Sequence, residues 1–303
     1  MVEDDESVVS AVWRQQSVWS QAANRMKRSI FRARTMSLLS GIVAAVCATA
    51  ASQVAGSSAR GLTFSCAVAA GLAPVARLRA GPGLTRDWVR LRSVSEALKS
   101  EVYRVLAGVG AYRAGDAGRL LLEQVRQITG SADDLIRYTV GIVPVDRAIP
   151  QVTDTASYSE FRLRNQIDRY YRPRAEEMRR RNAMVRGVEL ALGAAGVILG
   201  AASASLGMTG TERWVAVTVT VSAAVVTHAA ASRYDYQQLE FSRTAAELEF
   251  LHAQWAAMRE RTPESDDAFV TQCEHVISVQ NEGWMAKWSE EAEGEVSRSE
   301  DAR

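Results

Sequence analysis

Three histidines, three cysteines and 35 carboxylates are what this 303-residue chain offers for catalysis or metal binding. Cys47, Cys66 and Cys273 lie too far apart to form a disulfide framework or a zinc site. His228, His252 and His275 are scattered in the same way, without metal-ligand spacing. A phosphate-cradling GxxxxGK[ST] is absent, and GVGAYRAG (108–115) lacks the spacing of a dinucleotide loop. HExxH and GxSxG are absent as well. The sequence therefore predicts no catalytic residue, no cofactor and no metal site, and a protein that is not an enzyme.

The polar positions that remain of interest sit where charge is missing. Gly196 and Gly200 form a GxxxG, the spacing that lets two helices approach closely. His228 is an ionisable group within an apolar run, a candidate intramembrane polar site facing a neighbouring helix or water. Thr218, Thr220, Ser222 and Thr227 add a weakly polar face nearby, suited to packing within the chain or to lining an oligomer.

What must position these residues is plain from the charges. The 36 Lys+Arg and 35 Asp+Glu nearly cancel, and 47% hydrophobic content excludes a disordered chain. Yet residues 35–59, 61–76, 190–211 and 214–232 hold no charge at all. A membrane-crossing helix needs about 20 mostly apolar residues. Core helices of a soluble bundle normally keep a charged face at helical spacing, and these runs have none. Arginines crowd one side: Arg14, Arg25, Arg28, Arg32 and Arg34 precede the first run, and Arg77 to Arg92 follow the second. Arg162 to Arg186 precede the third, while only Arg60 and Arg213 mark the turns. By the positive-inside rule both hairpins turn outside, with both termini cytoplasmic. The fold class is thus an all-α integral membrane protein. Two transmembrane hairpins, four spans in all, extend into long amphipathic cytoplasmic helices.

The halves repeat one plan at an offset of about 150 residues, with Trp19 to Met26 spaced like Tyr171 to Met178. Residues 10–112 make the first domain, with spans near 35–58 and 61–79. A cytoplasmic helical insert and Pro-containing linker cover 113–157, with Asp116 and Ser131 as N-cap candidates. The second domain covers 158–288, with spans near 188–208 and 213–232. The charged tail 289–303 reads as disordered. Leu91, Val94, Leu98, Val102 and Val105 give the first exit helix its apolar seam. Phe241, Leu248, Leu251, Trp255 and Met258 do so for the second.

These segments resemble the SLATT superfamily, the SMODS- and SLOG-associating two-transmembrane-helix effector domains, as two tandem copies. In the first half VWRQQSVWSQAANRMKRSIFRAR and SEALKSEVYRVLAGVGAY carry the resemblance through Trp19, Arg34, Glu96, Leu98, Lys99, Tyr103 and Tyr112. In the second, YSEFRLRNQIDRYYRPRAEEM and EHVISVQNEGWMAKW carry it through Arg164, Gln166, Tyr171, Glu274, Glu282 and Trp284. Tyr170-Tyr171 stands where Trp-Tyr is commoner, and Arg174 where a Lys is. The resemblance implies a membrane effector of a prokaryotic conflict or anti-phage system in the inner membrane. Such an effector oligomerises and forms or perturbs a pore on a nucleotide-linked signal. It implies the lipid bilayer, other copies of the chain and a nucleotide-synthetase or nucleotide-sensor protein as partners, and no nucleic acid. The alternative is a non-conducting membrane scaffold that recruits cytoplasmic partners.

Overall fold

Buried residues of the first helix, α1 (Val2–Ala51), recur at intervals of three and four: Val9, Val12, Trp13, Gln16, Trp19, Ala23, Met26, Ile30 and Ala33. That is the seam of an amphipathic helix. Beyond Ala33 the same helix continues to Ala51 without one buried position, because the sequence there is apolar all round and has no polar face to distinguish. A computed structural model describes residues 2–54, 56–78, 81–113, 115–206 and 211–278. Among these, every regular element is helical, as the composition predicts.

After α1 come α2 (Ser57–Leu78), α3 (Pro82–Ala107) and α4 (Ala117–Gly130). An irregular stretch, 139–154, leads to α5 (Thr155–Tyr158), two π-helical segments (Ser159–Arg164 and Ile167–Tyr171) and α6 (Arg172–Leu206). α7 (Thr211–Ser232) and α8 (Tyr234–Ala256) follow, and the described chain ends in a helix, α9, at 263–278. Arg233, between α7 and α8, adopts a left-handed φ of 48°. Three helices are long and apolar enough to cross a membrane: Asp5–Ala51, Thr155–Ser205 and Arg213–Ala256. At most 6% of each apolar window is buried. Such open apolar surface requires another partner to cover it.

Several local expectations are corrected. The turn at Ser52 and Gln53 falls inside the first apolar run, so 35–58 holds a helix end, a turn and the start of α2. Ser131 is not an N-cap. It closes the C-terminus of α4, its N–H donating to Gln127 and Thr129 carbonyls. Asp116 does precede α4, but its carboxylate is taken by Arg119 and caps nothing. Met258 lies beyond the end of α8 and is exposed. Glu282, Trp284 and the tail 289–303 lie outside the described residues.

The contacts divide the chain into two compact units that do not follow its sequence halves. One gathers residues 1–28, 82–174 and 240 onward; the other gathers 29–81 and 175–239. The second unit holds the charge-free helices with polar ties at its ends. Arg213 donates to the Ser52 carbonyl (2.8 Å), joining the turn after α1 to the start of α7. Arg186 and Asn182 of α6 both reach Asp235 of α8.

In the first unit the irregular stretch lies along α1. Trp13 donates to the Ala148 carbonyl (3.2 Å), Gln21 to Val143 (2.9 Å), and the Val145 N–H donates to Ser17 (3.0 Å). Side chains of α1 thus satisfy backbone groups that have no ladder partner. Gly118 lets α4 approach α1: its N–H meets Asp5 at 3.0 Å, and a Cβ would stand 2.3 Å from that oxygen. The long helix from Thr155 starts at a capping box, with the Asp154 carboxylate accepting from the Ser157 N–H (2.7 Å). Asp154→Ala should lower stability by about 1 kcal/mol, while Asp154→Asn keeps it. Thermal unfolding of the detergent-solubilised protein followed by circular dichroism would read the difference.

Candidate functional site

A buried guanidinium is strongly unfavourable unless a carboxylate meets it. Arg162 is 1% exposed, and Glu274 of α9 meets it bidentately, Nε to Oε1 at 2.9 Å and Nη2 to Oε2 at 3.1 Å. The Tyr158 hydroxyl donates to the same carboxylate at 2.8 Å, and Ser100 of α3 hydrogen-bonds it too. The guanidinium carbon stands 4.6 Å from the centre of the Tyr103 ring, cation–π distance. Burial would raise the Glu274 carboxyl. The Arg162 charge and the three hydrogen-bonding neighbours outweigh it and hold the group below the usual carboxylate range. Even so, Arg162 Nη1 has no hydrogen-bond partner among the described residues.

The π-helical turns put Arg162 there. Tyr158, Arg162, Ile167 and Tyr171 are all buried, at spacings of four, five and four. At 3.6 residues per turn, Ile167 and Tyr171 would point about half a turn away from Tyr158. Widening the helix to i→i+5 bonds over Ser159–Arg164 and Ile167–Tyr171 returns them to one side.

Next to this pair, α3 contributes a second charged group. Glu96 pairs with Arg92 (2.8 Å) one turn earlier. Burial pushes the Glu96 carboxyl up, but Lys99, Arg92, Arg162 and Arg147 together bring it down to about 2. Burial lowers the Lys99 ammonium to about 8, with Glu96 opposing. Gln16 of α1 donates to Ser95 (2.9 Å), and Arg147 bonds Gln16 while lying 3.9 Å over the Trp13 ring. Aromatic contacts tie these elements together. Trp13 meets Tyr103 edge-on (6.2 Å), Tyr103 meets Tyr158 (6.3 Å), and Tyr158 meets Phe269 (6.3 Å). Phe269 stacks on Trp255 of α8 at 4.8 Å.

Of the residues that carry the resemblance, Glu96, Lys99, Tyr103, Tyr171 and Glu274 therefore belong to one cluster. Trp19 and Leu98 are buried in the same unit, and Tyr112 donates to Glu101. Arg164 is exposed and Gln166 half-buried. Sequence reasoning missed Arg162, Tyr158 and Ser100. Arg162 stood in a row of arginines read only as surface charge, and the signal that marks it is the four-five-four spacing. A cleft of about 520 Å³ opens beside the pair, lined by Glu96, Ser100, Arg104, Gln127, Glu274 and His275 among others.

No group of three or more His, Cys, Asp or Glu among the described residues could hold a metal. Burial pushes the Cys273 thiol far up, which disfavours its thiolate. His252 is half-buried on α8. In the second unit, His228 is half-buried on α7, within electrostatic reach of Arg34. Gly196 faces α7 closely enough that a Cβ would stand 3.2 Å from Thr218 Oγ1, whereas a Cβ at Gly200 would meet nothing within 4 Å among the described residues.

Truncating either partner leaves the other charge buried. Arg162→Met or Glu274→Leu alone should each cost about 3–5 kcal/mol, and the double variant markedly less than their sum. Denaturant unfolding of the three variants would show it. Glu96, held at about 2 against an ordinary 4.5, stabilises the fold above pH 4.5, and that contribution is lost as pH falls toward 2. Glu96→Gln should flatten this acid limb in a pH series of unfolding midpoints.

The cluster and the apolar helices beyond it coincide with known sequence families. Residues 158–284 match the profile of SMODS and SLOG-associating 2TM effector domain 1. Residues 17–118 match a different one, a family described as protein of unknown function (DUF4231). No curated protein and no solved structure matches the chain. The segment 158–284, which holds the Arg162–Glu274 pair and an apolar helix leading out of it, is thus similar to the SLATT family of two-transmembrane-helix effector domains.

Proposed function

We propose that the chain is an oligomeric effector of a prokaryotic conflict system, embedded in the inner membrane, that forms or perturbs a pore on a nucleotide-linked signal. The proposal takes four spans: the apolar part of α1, α2, α6 and α7. Both termini are cytoplasmic, and no enzymatic step is assigned. The two halves act as tandem SLATT-like copies, the first in a form divergent enough to match another profile.

The observation that carries this reading is one helix. Thr155–Ser205 begins at the capping box, passes the buried Arg162–Glu274 pair and ends in a charge-free apolar run. A change in the pair's surroundings therefore reaches membrane-crossing residues without leaving the helix. Arg162 Nη1, without a hydrogen-bond partner among the described residues, and the neighbouring cleft make the pair a suitable two-state element. The Arg213 bond to Ser52 supports both hairpins turning on the same side, in agreement with the arginine asymmetry. Gly200, with open space around it, supports close packing against another copy.

Controlled expression with a membrane-potential dye tests the proposal. Depolarisation on triggering, together with cross-linked oligomers, is expected, and Gly200→Leu should reduce both at least tenfold. No depolarisation under any trigger or expression level would reject the pore. A reconstituted protein that stays ion-tight while retaining a defined cytoplasmic partner would establish the scaffold instead.

A further inference from the structure

From Ser7 to Arg86 the sequence contains no aspartate and no glutamate, yet it holds ten cations. Eighty residues of this composition cannot neutralise themselves. Within the first unit, Arg25 and Arg28 of α1 and Arg86 of α3 are exposed. Arg25 and Arg86 form no ion pair among the described residues, and Arg28 reaches only the Asn24 carbonyl, at 3.2 Å. Lys27 stands 5.8 Å from the Trp88 ring centre, so α1 and α3 run side by side here and their cations share one end of the unit.

Two acids, Asp87 on α3 and Asp134 on the segment after α4, are already committed to other cations and hydroxyls. Asp87 accepts from Arg137 (3.2 Å) and Tyr138 (2.7 Å), and Asp134 from Arg90 (2.6 Å). The second hairpin is built differently. Arg179 and Arg180 pair with Glu176, Arg181 with Glu177 and Arg186 with Asp235. These arginines arrive with their own carboxylates, whereas Arg25, Arg28 and Arg86 at the first hairpin have none among the described residues.

The position decides what supplies the missing anion. Arg28 lies two turns before the apolar run that opens at Thr35, and Arg86 eight residues after the end of α2. Trp88 adds an aromatic side chain of the kind that settles at headgroup level. Guanidinium groups bind phosphate bidentately, and an anionic leaflet concentrates phosphodiesters at this depth. We infer that Arg25, Arg28 and Arg86, flanked by Lys27 and Trp88, form a collar that binds anionic phospholipid headgroups at the base of the first hairpin. The inference rests on the reading of α1 as a membrane helix but not on ion conduction.

The full chain, reconstituted in vesicles of brominated phosphatidylglycerol and phosphatidylcholine mixtures, gives the relative affinity for the two lipids from tryptophan quenching. The wild type should prefer the anionic lipid about a hundredfold. Each arginine neutralised in the series to R25Q/R28Q/R86Q should lower that preference about fivefold, and R25K/R28K/R86K should retain most of it. No preference in the wild type overturns the inference. So does a preference that survives the triple Gln variant, or one lost instead on neutralising Arg179, Arg180 and Arg181. Vesicle-free protein that binds an acidic polypeptide as tightly as the vesicles would also overturn it. Resistance to alkaline extraction, measured on the same samples, separates failure of the collar from failure of the membrane reading.

Discussion

Burying the Arg162 guanidinium constrains the rest of the first unit. Its charge needs Glu274, and Glu274 lies on α9, more than 100 residues later in the chain. Closing that pair requires the helix from Thr155 and the α9 helix to meet, with α3 supplying Ser100 and the Tyr103 ring. A hydrophobic pair of the same volume would hold these elements together with less desolvation. Its geometry would also be less particular. The bidentate bond, the Tyr158 hydroxyl and the ring contact allow one register between three helices, and a slip by one residue would bury an unpaired charge.

This dependence explains what was legible in the sequence. The helical class and the charge-free runs could be read directly, since hydropathy and arginine placement are properties of composition by position. The seams of α3 and α8 followed from 3.6-residue spacing, and Leu91, Leu98, Val102 and Leu248 are indeed buried. The polar cluster was visible only in fragments. Glu96, Tyr103, Tyr171 and Glu274 stood out by family likeness, with nothing to say that they meet. Arg162 could not be found by helical periodicity, because the backbone there is π-helical and its neighbours obey a different spacing. Ser131 misled for a related reason. A serine at a helix boundary suits either end, and only the hydrogen bonds of α4 decide which.

Charge within the cluster is not balanced. Arg92, Lys99, Arg147 and Arg162 face Glu96 and Glu274, so four cations share two buried carboxylates. This excess holds both carboxyls below their ordinary range, while burial, with Arg162 and Arg92 adding to it against Glu96, lowers the Lys99 ammonium to about 8. A core of this kind is less stable than an apolar one and more responsive. An anion that entered the neighbouring cleft, or a shift of α9, would change the field at every member of the cluster together.

The two sequence halves look alike, yet the structure does not let either stand alone. Trp19 and Met26, like Tyr171 and Met178, are buried at the corresponding spacing, so the shared pattern serves the same packing need. The polar cluster, however, is assembled across the halves. Ser100, Glu96 and Tyr103 come from the exit helix of the first half, Tyr158 and Arg162 from the entry of the second, and Glu274 from its end. Carrying both halves in one chain fixes which helix meets which, and lets the two hairpin bases differ. Arg179, Arg180, Arg181 and Arg186 keep carboxylates of their own, while Arg25, Arg28 and Arg86, with none among the described residues, are left for the membrane.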